Sequence, residues 1–162
     1  MTKSFRMTES PTHILAQMAE SVAGNYHRLV LVVGPAKSGK TERLRTLKQP
    51  LVNVNLALSA ALLDLPQRRR SLEAPRLLSD LINSVPTSPV VLDNLEMLFD
   101  ISLKLDPIAC LKQASRNRTI IASIPGVIDD GQLIYAEPSH AEYRRFPTDD
   151  LLIDELSVLT IA

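Results

Sequence analysis

The chain has 162 residues, enough for one domain with one core, and a composition of 45% hydrophobic and 22% charged residues argues against disorder or low complexity. Eighteen basic and eighteen acidic side chains cancel, which excludes a global positive field that would draw the protein to nucleic acid or an anionic membrane. A single cysteine, Cys110, excludes an internal disulfide and offers no metal-site spacing.

The opening "MTKSFRMTES" lacks the apolar core of a secretion signal, and no apolar run reaches the roughly 18 residues of a membrane span, so a cytoplasmic protein without a membrane segment is expected. Ser10 as N-cap and Pro11 at the first helical position begin a helix with Ile14, Leu15, Met18 and Val22 on one face, ending near Gly24. Residues 29 to 33, "LVLVV", are too short for a helix and apolar on both faces, as a central parallel strand must be. A helix is expected from Thr41 to about Lys48, and "LVNVNL" at 51 to 56 alternates like a second strand. Helical stretches at about 57 to 65 and 74 to 84 precede a third strand at Val90, Val91 and Leu92. Asp106 as N-cap and Pro107 at the first helical position start a helix through about Ser115, on which Cys110 reads as a buried small hydrophobe. "TIIAS" (119 to 123) and "LIYAE" (133 to 137) are expected as strands four and five, and the tail from Pro147 is ambiguous between helix and strand. Strands alternating with helices predict an α/β fold with a parallel five-stranded sheet in a three-layer sandwich, one domain over residues 1–162.

Between the first strand and its helix lies "GPAKSGKT", residues 34 to 41, which matches G-x-x-x-x-G-K-S/T through Gly34, Gly39, Lys40 and Thr41. Glycine opens backbone angles closed to other residues, so that main-chain N–H groups from Gly34, Pro35's successors Ala36, Lys37 and Ser38, and Gly39 can turn inward around a phosphate. Lys40 adds a charge for the β- and γ-phosphates, and Thr41 a hydroxyl ligand for Mg²⁺. The strand before and the helix after are the context such a loop needs, so ATP with Mg²⁺ is the expected ligand pair.

Hydrolysis also needs a carboxylate near the metal and a group to orient water. "VVLDNLE" offers Asp93 at the carboxyl end of a buried strand as the metal's partner, with Thr41, and Glu96 three residues on as general base. Many ATPases of this class have Glu directly after the Asp, whereas this chain has Asn94 there, so Asn94 positioning the water remains open. An extra strand between the loop strand and the Asp93 strand resembles the additional-strand class of P-loop ATPases. That resemblance implies the order 5-1-4-3-2 and a γ-phosphate sensor at the end of strand four, the place of Ser123; the letters run out about where a helical lid would begin, so a minimal AAA-like core without that lid is expected. Otherwise the Ser123 hydroxyl caps a loop.

Arg116 and Arg118, before strand four, are candidates for an arginine inserted into a neighbouring copy's site, which would make the protein a homo-oligomer; the alternative is an ordinary solvated or paired arginine. Arg68 to Arg70 follow Pro66 in an expected polar connection and could grip a phosphate backbone or an acidic partner. They are also the only hint of the basic lid that a nucleotide kinase would need. His140, Tyr143, Arg144 and Arg145 follow the expected last strand near the nucleotide edge, while His13 and His27 have no metal-ligand geometry to recommend them.

"GPAKSGKT", "VVLDNLEMLFD", "LKQASRNRTIIAS" and "YAEPSHAEYRRF", in this order in so short a chain, resemble the BrxF family, small P-loop proteins of type 3 BREX bacteriophage-defence systems. The resemblance implies a cytoplasmic bacterial protein working beside other BREX components, with DNA reached indirectly or through them. "LDNLE" is also similar to the acidic motif of STAND signalling ATPases, which implies a nucleotide switch with negligible turnover as the alternative to an ATPase.

Overall fold

Strands that are apolar on both faces must be covered from both sides, and the arrangement of this chain follows from that requirement. A computed structural model describes residues 11–135, 144–149 and 151–156, with side chains from residue 14 onward. Helix α1 (Pro11–Val22) leads into β1 (Leu29–Gly34), the Gly34–Thr41 loop and the short α2 (Lys40–Arg45). Strand β2 (Leu51–Asn53) passes directly into α3 (Val54–Leu63), and α4 (Gln67–Asn83) precedes β3 (Val90–Asp93). Two 3₁₀ turns, Glu96–Phe99 and Ile101–Leu103, connect to α5 (Pro107–Ala114) and β4 (Ile120–Pro125). Strands β5 (Val127–Asp129), β6 (Gln132–Tyr135) and β7 (Arg144–Pro147) form an antiparallel sheet of their own, and β8 (Leu152–Glu155) returns to the main one.

The main sheet has five parallel strands in the order β2-β3-β4-β1-β8. Alternate residues of β1 divide the core: Leu29, Leu31 and Val33 join Leu58, Leu78 and Leu111 from α3, α4 and α5. Val30 and Val32 join Leu15, Met18 and Leu44 from α1 and α2 on the other face. The result is a sheet between two helical layers. Its register sets Gly34 beside Pro125 and Asn53 beside Asp93, so the carboxyl ends of four strands end near one another.

Several expectations are corrected. Of the strand expected at 133–137, residues 136 and 137 lie outside the described residues and 133–135 belong to β6 of the small sheet; the main sheet's edge beside β1 is β8, from the tail whose pattern was ambiguous. Strand β6 has one fully buried side chain, Leu133, the one-sided burial of an antiparallel strand, whereas β8 sends Leu152 to one core and Ile153 to the other. The strand expected over 51–56 stops at Asn53, because the Asn53 side chain accepts from Leu56 N–H at 3.1 Å and caps a helix where alternation suggested more strand. Arg68 to Arg70 lie in the first turn of α4 rather than in a connection. Helix α5 starts as expected, with Asp106 Oδ1 accepting from Ala109 N–H at 3.0 Å.

Phe99, fully buried, ties the small sheet to the main core: its ring stacks on Tyr135 with centroids 4.1 Å apart and meets Phe146 edge-on at 5.8 Å. On the other face, Arg43 of α2 pairs with Asp154 of β8 at 3.4 Å, an ion pair in which the Asp154 Oδ2 atom has no hydrogen bond among the described residues. Burial pushes the Asp154 carboxyl above its ordinary value, and the Arg43 guanidinium opposes that shift.

Two stability changes follow. Phe99→Ala should lower the unfolding free energy by about 3 to 5 kcal/mol in urea titration, with the near-ultraviolet tyrosine signal changing as Tyr135 loses its stack. Arg43→Met should destabilise by about 1 to 3 kcal/mol at neutral pH by leaving a partly buried carboxylate unpaired. Because the folded-state value for Asp154 is raised, the folded form takes up its proton first as pH falls. The Arg43→Met deficit should therefore shrink on acidification and grow as pH rises through that raised value; a pH-independent deficit would contradict the assignment.

Candidate functional site

The loop between β1 and α2 needs glycine for two different reasons. At Gly34 a Cβ atom would lie 2.3 Å from Ser38 Oγ and 3.0 Å from the Leu156 carbonyl oxygen, so crowding excludes a side chain. At Gly39 the backbone is left-handed, with φ +91°, and Lys37 shares that region at φ +64°. The chain therefore curls tightly: Ser38 N–H donates to Pro35 O at 3.2 Å and Arg43 N–H to Gly39 O at 2.9 Å. Ala36 and Lys37 are exposed, while Ser38 is buried, its Oγ without a partner among the described residues.

Lys40 folds over this curl. Its ammonium donates to Gly34 O and Pro35 O, both at 2.8 Å. Burial lowers the amine's pKa from the ordinary lysine value, and the carboxylates of Glu96 and then Asp93 oppose the shift. One cation and two carboxylates thus share the mouth of the loop.

Asp93, 5% exposed at the end of β3, is the centre of the cluster. Its Oδ2 accepts from Thr41 Oγ1 at 2.7 Å and its Oδ1 from Ser123 Oγ at 2.5 Å. Ser123 is 2% exposed on β4, the strand between β3 and β1. Three separate sequence stretches meet at one carboxylate, which satisfies the buried Ser123 hydroxyl and the partly buried Thr41 hydroxyl.

Beyond Asp93 the chain turns sharply, with Asn94 at φ +55°. Asparagine tolerates this left-handed conformation better than glutamate, which gives a backbone reason for Asn94 at the position after Asp93. The turn sends Glu96, which is exposed, into the first position of a 3₁₀ turn. There the Asn55 side chain holds it: Asn55 Nδ2 donates to Glu96 Oε2 at 2.8 Å, and Asn55 Oδ1 accepts from Met97 N–H at 2.9 Å. Asn55 N–H also donates to Asn94 O at 2.8 Å. Asn55 was missed in the sequence because "LVNVNL" reads as strand alternation; its signal is the pair of asparagines opening a helix just after a strand.

Arg116 and Arg118 are not brought to this cluster within one copy. They precede the amino end of β4, whereas Ser123 and Gly34 lie towards the carboxyl ends of their strands. Arg118 donates to the carbonyls of Ile82 at 2.8 Å, Val85, and Thr87 at 2.7 Å, binding the C-terminal end of α4 and the segment after it. Arg116 is exposed, with its guanidinium 4.7 Å from the Tyr26 ring centroid. Arg69 pairs with Glu73 at 3.3 Å, and Arg70 donates to Leu65 O at 3.3 Å. Arg144 donates to Leu105 O and Arg145 to Gln132 Oε1, each at 2.7 Å, while His140 and Tyr143 lie outside the described residues. His27 Nδ1 lies 3.0 Å from Lys112 O, and the His13 side chain lies outside the described set. Cys110 is half-buried against the core, and burial raises its thiol pKa, which makes it a poor nucleophile.

The arrangement can present one ammonium and curled main chain to an anion, with a hydroxyl and a carboxylate beside it. No group of three or more His, Cys, Asp or Glu side chains that could hold a metal occurs among the described residues. One carboxylate and one hydroxyl suit an Mg²⁺ ion that arrives on phosphate oxygens and keeps its water, rather than a resident ion in a protein cage. No protein-family model, curated protein or solved structure matches the chain.

Arg118→Ala should lower stability by about 2 to 3 kcal/mol in urea, because three carbonyls lose a charged donor. A variant as stable as wild type would show that these bonds contribute nothing and would leave the guanidinium free for another role.

Proposed function

We propose that the chain is a minimal AAA-like P-loop NTPase that binds ATP with Mg²⁺ at the Gly34–Thr41 loop and hydrolyses it. The observation that carries this reading is the Thr41 Oγ1 to Asp93 Oδ2 hydrogen bond of 2.7 Å beside the Lys40 ammonium, because it joins the loop motif to the acidic strand in one site. The place of β4 between the loop strand and the Asp93 strand supports it as well, although the edge beside the loop strand is β8 and not the strand expected there.

In this reading the loop amides and Lys40 hold the β- and γ-phosphates, and Thr41 and Asp93 hold the metal. Mg²⁺ supplies charge neutralisation for the phosphate oxygens. Glu96, oriented by Asn55, accepts a proton from water as its oxygen bonds to the γ-phosphorus and the bond to the β–γ bridging oxygen breaks, leaving ADP and phosphate. Ser123, on the other oxygen of Asp93, reads the γ-phosphate side of the cleft. An arginine from a neighbouring copy would complete the charge stabilisation, and Arg116, exposed, is freer for that role than Arg118, which is held by three carbonyls. The resemblance to the BrxF family supports a cytoplasmic setting in a bacterial antiviral BREX complex, with DNA met through other components.

One observation favours a second reading, a nucleotide-dependent switch with negligible turnover: Glu96 already spends an oxygen on Asn55, and no carboxylate directly follows Asp93.

Isothermal calorimetry and phosphate release test both. Lys40→Ala should weaken ATP–Mg²⁺ binding by at least ~100-fold, the loss of a charge-assisted contact to phosphate. Glu96→Gln should keep binding and lower phosphate release by about 100-fold or more. Unchanged, very low release in Glu96→Gln would select the switch, and an absence of binding heat in wild type would overturn both.

A further inference from the structure

Two attachments, among others, join the small antiparallel sheet to the elements of the site. The carbonyl of Gly34 accepts from two donors: Lys40 Nζ at 2.8 Å and Gly126 N–H at 3.1 Å. Gly126 is the single residue between β4 and β5, so the N–H that reaches the loop belongs to the junction from which the small sheet hangs. That junction is tight. At Gly126, with φ +158°, a Cβ atom would lie 2.4 Å from Ile134 O and 3.2 Å from Leu133 Cδ1, both on β6. The second attachment is Tyr135 of β6, stacked on Phe99 of the 3₁₀ turn that begins with Glu96. β4 itself carries Ser123, three residues before Gly126, on the Asp93 carboxylate.

Resting on the nucleotide reading above, we propose that the β5–β6–β7 sheet responds to nucleotide, with the Gly34 carbonyl as the link. Lys40 has one ammonium, and phosphate oxygens compete for it with the carbonyls of Gly34 and Pro35. When the ammonium turns to phosphate, the Gly34 oxygen is left to the Gly126 N–H alone. The bond that ties the small sheet to the loop then has no rival donor, while the same phosphates order the loop that carries its acceptor. Ser123 acts in the same direction, since a change at Asp93 is transmitted along one strand to Gly126. Nucleotide binding therefore tightens the β4–β5 junction and, through its contact with Ile134 and Leu133, the β5–β6 hairpin. The exposed Val127 beside the junction places the outcome on the surface, where another protein can read it.

Hydrogen exchange by mass spectrometry on the full chain, with and without ATP–Mg²⁺ at concentrations that calorimetry shows to be saturating, tests this directly. Exchange over residues 126–135 should slow several-fold with nucleotide, while residues 67–83 of α4 stay unchanged as an internal reference. Gly126→Ala should abolish that slowing, since the junction cannot close with a methyl group against Ile134 O. Because this variant can fail to fold, Tyr135→Leu is the second: it removes the ring stack on Phe99 while Phe146 still packs there, and the slowing over 126–135 should persist but weaken. Binding heat with unchanged exchange over 126–135 overturns this inference alone. Slowing that survives in a folded Gly126→Ala overturns the role of the junction. No binding heat overturns the nucleotide reading, and the inference falls with it.

Discussion

A buried carboxylate needs partners for its oxygens, and in this chain that requirement organises the whole upper edge of the sheet. Asp93 is almost completely shielded, and its two oxygens are met by hydroxyls from either side, Thr41 from the loop helix and Ser123 from β4. A charge in such a place costs several kcal/mol unless it is hydrogen-bonded, so the two hydroxyls and the nearby Lys40 ammonium serve the fold as well as the proposed chemistry. The constraint reaches into topology: Asp93 can meet both partners because β4 lies between β3 and β1, an order that only crossovers over the helical layers can create.

The loop stores a second constraint. Curling the backbone through Lys37 and Gly39 packs Ser38 against Gly34 and draws the Lys40 ammonium onto two carbonyls. Those carbonyls are weak substitutes for phosphate, since they are neutral dipoles and the ammonium is partly desolvated. A polyanion would be a better partner for the same group, which is the physical content of the proposal that this loop holds ATP. Around it, Asn55 fixes Glu96 from a different strand–helix junction, so the acid's direction is set by tertiary contact instead of by its own short turn.

Much of this was legible in the letters. Residues 29–33 and 90–92 are apolar on both faces, which only a covered parallel sheet satisfies, and Asp106–Pro107 announces a helix start through side-chain capping and a fixed φ. The loop motif and Asp93 could be paired because each stands at the carboxyl end of a buried strand. What was hidden had specific causes. Asn55 and the start of α3 were masked because Val52, Val54 and Leu56 alternate with polar residues while Asn53 caps a helix, so a local hydrogen bond overrode a hydrophobic period. The fifth strand was misplaced because "LIYAE" is the better strand by composition, whereas Leu152–Glu155 carries the partly buried Asp154, which makes sense as a strand only once Arg43 of α2 lies opposite. Arg118 looked like a reagent for a neighbouring site, and no spacing rule reveals that three main-chain carbonyls around the end of α4 converge on it.

The central claim is that the Thr41–Asp93 pair and the Lys40 ammonium are one receptor for a metal-bound triphosphate. A crystal structure grown with a non-hydrolysable ATP analogue and Mg²⁺ tests it most directly. The account predicts phosphates inside the Gly34–Thr41 curl, Lys40 withdrawn from the Gly34 carbonyl, and the ion between the Thr41 hydroxyl and the Asp93 side. Phosphates bound elsewhere, with the Thr41 to Asp93 and Lys40 to Gly34 bonds both intact, would contradict it.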